Sequence, residues 1–167
     1  MNLWTTVWTI TANVLGVLII HLGIAYACYR MPDYWFVKRH PSSYQQLTAK
    51  DSLREERFYD RVLKIRKWKD RLPEGSKLFR QAFDKSKLQH KTAVHYRQFI
   101  LETRRAEWTH SLSILPAPLF LIWNNAIGSG LMIAYSLIAN IPFILIQRYN
   151  RFRLNRILSH LEGKERA

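Results

Sequence analysis

Residues 111–147 read SLSILPAPLFLIWNNAIGSGLMIAYSLIANIPFILIQ, 37 residues without one Asp, Glu, Lys or Arg. A straight helix of that length would extend about 55 Å, far more than the ~30 Å hydrocarbon core of a bilayer. Pro116 and Pro118 disturb its first third, and Asn124-Asn-Ala-Ile-Gly-Ser-Gly130 supplies turn residues in its middle. The pattern predicts a hairpin. A short, kinked limb near Ser111–Trp123 either crosses or re-enters, and a full span follows near Ile127–Ile146.

Both edges of this run are charged. Upstream stands Glu102-Thr-Arg-Arg-Ala-Glu107-Trp-Thr-His110, and downstream Gln147-Arg-Tyr-Asn-Arg-Phe-Arg153. Residues 30–110 carry 20 Lys/Arg against 10 Asp/Glu, and the tail from Arg148 carries 6 against 2. Both segments then prefer the cytoplasmic side, which requires the chain to return between them. A second apolar run, Asn2 to Tyr29, also lacks charge, and Trp4, Trp8, Tyr26, Tyr29 and Arg30 stand at its ends as interfacial anchors. A cleaved signal peptide competes there, because Ala25-Tyr-Ala27 resembles a cleavage site and Cys28 follows it. The missing basic n-region and the length of the run favour an uncleaved anchor.

The expected fold is an all-α integral membrane protein, with its bulk of polar regions in the cytoplasm. Its parts are an N-terminal transmembrane anchor at 1–29, a basic helical region at 30–110, a transmembrane or re-entrant hairpin at 111–147 and a basic tail at 148–167. Pro32 should end the first span. Leu53–Leu72 reads as one basic amphipathic helix, with Phe58, Val62, Ile65 and Leu72 on a stripe beside Arg57, Arg61, Lys64, Lys67 and Arg71. That stripe suits anionic lipid or packing on a small core. A shorter stripe follows at Leu78, Phe79, Ala82 and Phe83. The formal net charge of +14 asks for an anionic partner, and two membrane-length runs favour a bilayer over nucleic acid.

The chemistry-bearing stretch is 102–110. Glu107 and His110 lie one helical turn apart on one face, with Thr103. Such a Glu-x-x-His pair occurs in di-iron bundles, but these need two such pairs, and none of the other five histidines (His21, His40, His90, His95, His160) follows a carboxylate at that spacing. No metal site is expected. The His-x4-Asp pattern of glycerolipid acyltransferases, a Gly-x-Ser-x-Gly elbow and a phosphate-binding glycine loop are all missing from the sequence. Acid–base work by His110, assisted by Glu107 or Glu102, remains. The plain structural reading makes Glu102–Arg105 and Arg104–Glu107 intrahelical ion pairs. His21, inside the first span, reads as a tolerated polar residue facing another helix.

Several stretches together resemble one small family. They are Leu101-Glu-Thr-Arg-Arg-Ala-Glu-Trp-Thr-His110, Ser113-Ile-Leu-Pro116, Ile138-Ala-Asn-Ile-Pro142, and Gln147-Arg-Tyr-Asn150 with Arg153 and Leu154. Arg66-Lys-Trp-Lys69, Pro32-Asp33 and Gly75 add to the resemblance. The family is the glycosyl-4,4′-diaponeurosporenoate acyltransferases of staphyloxanthin-type carotenoid biosynthesis. The resemblance implies transfer of a fatty acyl group to a sugar hydroxyl of a glycosylated carotenoid acid, or a related glycolipid, at the cell membrane. The sequence departs from the family at Phe152, where proline is expected, and in the 124–130 turn, which lacks basic residues. Both departures lie outside the acid–base motif.

For that reaction His110 is the expected general base, with Glu107 orienting it and Glu102 nearby. Arg105, Arg148 and Arg151 are expected to hold the anionic part of an acyl thioester co-substrate, and Asn140 and Asn150 to donate to the oxyanion. Tyr149 joins the substrate-binding set, and no cofactor is required. The rival readings are a non-enzymatic membrane protein that binds anionic lipid and organises pathway enzymes, and a small subunit of a larger membrane complex.

Overall fold

A computed structural model describes residues 2–37, 49–71 and 92–165. Among these residues every regular element is helical: α1 (Leu3–Arg30), a 3-10 turn (Asp33–Trp35), α2 (Ala49–Val62), α3 (Ile65–Trp68), a 3-10 turn (Lys69–Arg71), α4 (Ala93–Ile114), a 3-10 limb (Ala117–Ile122) and α5 (Ala126–Glu165). The stripe at Leu78–Phe83 lies outside the described residues. The chain forms two compact units, Met1–Met31 with Ala106–Ile144, and Pro32–Arg105 with Leu145–Ala167.

In the first unit, α1 turns one stripe inward, including Thr9, Asn13, Gly16, Val17, Ile20, His21, Ile24 and Cys28. These positions repeat at threes and fours, the period of a helix packed along one seam. α1 ends at Arg30, where the Met31 N–H still donates to the Ala27 carbonyl at 3.0 Å and Pro32 prevents another turn. Gly16 is there for close approach. A Cβ on it would stand 3.2 Å from the Phe120 ring.

The apolar run folds back as a hairpin. α4 ends at Ile114, the limb Ala117–Ile122 winds as a 3-10 helix after Pro116, and α5 starts at Ala126. Asn125 caps α5, its side-chain oxygen accepting the Gly128 N–H at 2.8 Å. Asn124 and Asn13 exchange a reciprocal pair of amide hydrogen bonds, 3.0 and 2.8 Å, and the Trp123 indole N–H donates to Asn13 at 2.8 Å. The tip of the hairpin is thus pinned to α1 at Asn13, about 15 Å along the helix from Leu3. Leu3, Trp4, Trp8 and Ile10, on the far side of that point, are exposed.

Burial in this unit is sorted the opposite way from a water-soluble protein. Ser113, Ser129, Ser136 and Asn140 are buried, while Ile127, Leu131 and Ile138 are each at least 66% exposed. Small and polar side chains on the inside with Leu and Ile outside is how helices pack in hydrocarbon. The apolar window of α1 holds no buried residue, and that of the second candidate span, Ala126–Gly163, is 17% buried. Both helices are long and apolar enough to cross a membrane.

The second unit has two apolar clusters. Tyr96, Phe99 and Ile100 of α4 pack with Leu154 and Leu158 of α5, and Ile65 packs with Ile146 and Tyr149. Arg156 holds Glu56 with two hydrogen bonds of 2.9 and 3.3 Å, tying α5 to α2. Phe152, the departure from the family pattern, packs its ring 5.7 Å from Tyr59. The single helix expected over Leu53–Leu72 is interrupted. Lys64 adopts the left-handed conformation (φ 48°, ψ 36°), so α2 stops at Val62 and α3 restarts at Ile65. The Leu63 carbonyl, left over at this break, accepts the Trp68 indole N–H at 2.9 Å. The break also divides the stripe, since Phe58 and Val62 are exposed while Ile65 is fully buried.

Candidate active site

His110 lies four residues from the C-terminus of α4, half-buried, with its ring stacked on Phe143 at 4.7 Å and an interplanar angle of 9°. Its Nδ1 is 3.0 Å from the side-chain oxygen of Asn140. Asn140 is 1% exposed and sits within α5, where its amide nitrogen donates to the Ser136 carbonyl at 2.8 Å and lies 3.3 Å from His21 Nε2. His21 Nδ1 in turn is 2.9 Å from the Val17 carbonyl, one turn earlier on α1. Three helices contribute one polar side chain each to a single hydrogen-bonded chain.

With both rings neutral, the two carbonyls set the proton positions along that chain. A carbonyl only accepts, so the Val17 oxygen requires the hydrogen of His21 to be on Nδ1, which leaves Nε2 of the neutral ring as an acceptor. The Ser136 oxygen likewise requires the nitrogen of the Asn140 amide to face it. Its second N–H goes to His21 Nε2, and its oxygen is turned toward His110. His110 therefore donates through Nδ1, and its Nε2 carries the lone pair. That is the protonation state of a general base.

The other residues singled out in the sequence are distributed as follows. Glu107 is half-buried, one turn before His110 on α4. Glu107 was expected to orient or polarise His110; Nδ1 of His110 is bonded to Asn140. In the second unit, Arg105 bonds Glu102 at 2.6 Å, pairs with Asp33, and covers the Phe36 ring with its guanidinium 5.0 Å from the centroid. Arg104 donates to the Phe36 carbonyl at 3.0 Å. Glu102 also accepts from Gln98 at 3.4 Å. This group clasps the Pro32–Phe36 segment onto α4, with Phe36 buried beneath Arg105. Arg148 is exposed, and Asn150 and Arg151 are half-buried. Tyr149 is buried and donates to Asp60 at 3.3 Å; burial first, then the carboxylates of Asp60 and Glu56, push its phenol pKa up. No group of three His, Cys, Asp or Glu that could hold a metal ion occurs among the described residues.

His21 entered from outside the motif. The signal available in the sequence was its position: Asn13 and His21 are the two strongly polar residues on the inward stripe of an otherwise apolar helix.

The family model for glycosyl-4,4′-diaponeurosporenoate acyltransferase matches residues 32–160. The chain is 34% identical over 149 residues to the glycosyl-4,4′-diaponeurosporenoate acyltransferase of Staphylococcus aureus (strain MRSA252), covering 88% of this chain and 86% of that protein. It is 33% identical to the protein of the same name from strain bovine RF122 / ET3-1, with the same coverage, and 34% identical over 151 residues to that from strain N315. No solved structure matches.

Proposed function

This chain belongs to the glycosyl-4,4′-diaponeurosporenoate acyltransferase family and is an acyltransferase of carotenoid biosynthesis; on that premise we propose that it moves a fatty acyl group from a thioester to a sugar hydroxyl, with His110 as general base. The acceptor class is a glycosylated carotenoid acid or a related glycolipid, after the substrate in the relatives' name. The observation that supports this reading most is the 3.0 Å bond from His110 to Asn140, which leaves Nε2 as a proton acceptor.

The step balances without a cofactor. His110 Nε2 takes the proton of the sugar hydroxyl as its oxygen attacks the thioester carbonyl. The tetrahedral intermediate then collapses, the carbon–sulfur bond breaks, and the imidazolium returns its proton to the departing thiolate. During the step the imidazolium keeps donating through Nδ1 to Asn140. Both amide N–H groups of Asn140 are already engaged, so its part is to orient the base. For Asn150, Arg148 and Arg151, which belong to the second unit, the proposed role is substrate binding alone. Arg105, with Asp33 and Glu102 on its guanidinium, takes a structural part instead. Phe143 against the imidazole and a nearly fully buried Asn140 limit water, which favours the sugar hydroxyl over hydrolysis.

The same reading places the enzyme in the cell membrane with both basic segments cytoplasmic. α1 then crosses with its N-terminus outside. The hairpin enters from the cytoplasm, turns at the depth of Asn13 and returns, as its attachment there supports. His110→Ala tests the chemistry. Turnover should fall by two to four orders of magnitude, about the range of general-base catalysis, with normal membrane insertion. Lipid and pigment profiling should show the ester disappearing. Near-full transfer by that variant would remove the base assignment.

A further inference from the structure

We propose that His21 is a positioning residue for the acyl transfer: an acceptor on the first membrane helix that fixes the Asn140 amide and thereby keeps the proton of His110 on Nδ1. The inference rests on His110 being the base, but its physical content, the direction of a hydrogen-bond chain, stands apart from that.

An ionisable ring within an apolar span is costly, and a structural hydrogen bond there needs only Ser, Thr or Asn. The geometry explains why the residue is histidine. Nδ1 of His21 is committed to the Val17 carbonyl of its own helix at 2.9 Å, so its Nε2 acts on Asn140 solely as an acceptor. A flipped Asn140 amide would turn its oxygen against two acceptors at once, the Ser136 carbonyl and the His21 lone pair. With the amide held, its oxygen faces His110, and the imidazole answers with Nδ1–H. The lone pair on the catalytic nitrogen is thus traced back to two backbone carbonyls, Val17 on α1 through His21 and Ser136 on α5. Among the described residues the members of this hydrogen-bonded chain are His21, Asn140 and His110.

The test uses the full-length protein in nanodiscs, with three variants at one position. In His21→Gln the side-chain oxygen stands close to where Nε2 was, so the acceptor is kept. His21→Asn carries the same group one methylene short, and His21→Leu removes it. Loss of one such bond should lower kcat about tenfold in the Leu and Asn variants with KM unchanged, as expected of a residue acting through Asn140. His21→Gln should recover to within about threefold of wild type. A merely structural role would not split kcat from KM or distinguish Gln from Asn.

The second readout does not depend on activity. Nitrogen-15 spectra of histidine-labelled protein, assigned with His110→Ala, should show the His110 proton on Nδ1 in wild type and His21→Gln, and a mixture of tautomers in His21→Leu. A proton on His110 Nε2 in the wild type, or a Gln variant no better than Leu, overturns the proposal. If His110→Ala retains transfer while the spectra come out as expected, the base reading fails and the hydrogen-bond chain survives.

Discussion

Replacing Asn140 by alanine separates orientation from packing. Asn140 makes three hydrogen bonds, and they differ in kind. The bond to Ser136 lies within α5, and that carbonyl sits where the helix supplies its own donor, so its loss costs little. The bonds to His110 and His21 join helices. Such bonds average about 0.6 kcal/mol each in a membrane bundle, so the folded state should lose about 1 kcal/mol. The effect on turnover should be larger. Without an acceptor on Nδ1 the imidazole is free to rotate and to carry its proton on Nε2, where it is no base. A loss of ten- to a hundredfold in kcat is expected, about 1.4 to 2.7 kcal/mol of barrier. The assay is single-turnover transfer from a labelled thioester to a glycolipid acceptor in nanodiscs, beside denaturant titration of the same samples. The decisive comparison is the double variant with His110→Ala. If Asn140 acts through His110, the double variant should be no slower than His110→Ala alone. Independent, multiplying losses would refute the orienting role.

Two further outcomes follow from other parts of the molecule. Lys64, held at a φ of 48°, should be stabilised by Lys64→Gly, by roughly 0.5–1 kcal/mol, and destabilised by Lys64→Val; melting of the detergent-purified variants would show opposite shifts. In a Cys28→Ala background, cysteines placed at Ser42 and at Ser159 should both be shielded from an impermeant maleimide until the membrane is opened, and one placed at Asn2 should react. Labelling at Ser159 from outside would rule out a hairpin that returns to the cytoplasm.

Much of the architecture was readable because charge and apolarity are so strongly segregated. A stretch of 37 uncharged residues interrupted by Pro116, Pro118 and two asparagines admits few foldings. Pro32 ends α1 where expected, and His110 marks the polar edge of the hairpin. The partner of His110 was not readable in the same way. Helical periodicity reports neighbours on the same helix, so it offered Glu107. The acceptor on Nδ1 comes from thirty residues downstream, and its own anchor from α1. Contacts between helices leave no period in the sequence. Lys64 shows a different limit. The left-handed position that ends a helix usually carries glycine, and here a lysine occupies it. The basic stripe therefore read as continuous. Tyr149, expected in the substrate-binding set, packs on α5 among Ile65 and Ile146.

The amide pair between Asn13 and Asn124 also bears on how the protein is made. Residues 3–30 leave the ribosome long before the hairpin does, and that helix can enter the bilayer alone, at the cost of one amide without a partner. The hairpin has no such freedom. Its turn carries the Trp123 indole N–H and the Asn124 side-chain oxygen, both met by Asn13, and unsatisfied polar groups of this kind cost several kcal/mol each in hydrocarbon. On α1, Asn13 accepts from both the indole and the amide and donates one hydrogen bond in return. On the topology proposed above, integration is ordered, with the earlier segment serving as a template on which the later one docks. Two co-expressed fragments, split between residues 31 and 92, should assemble when the first carries asparagine at position 13. The fragment carrying the hairpin, made without the first, should be left to the quality-control proteases.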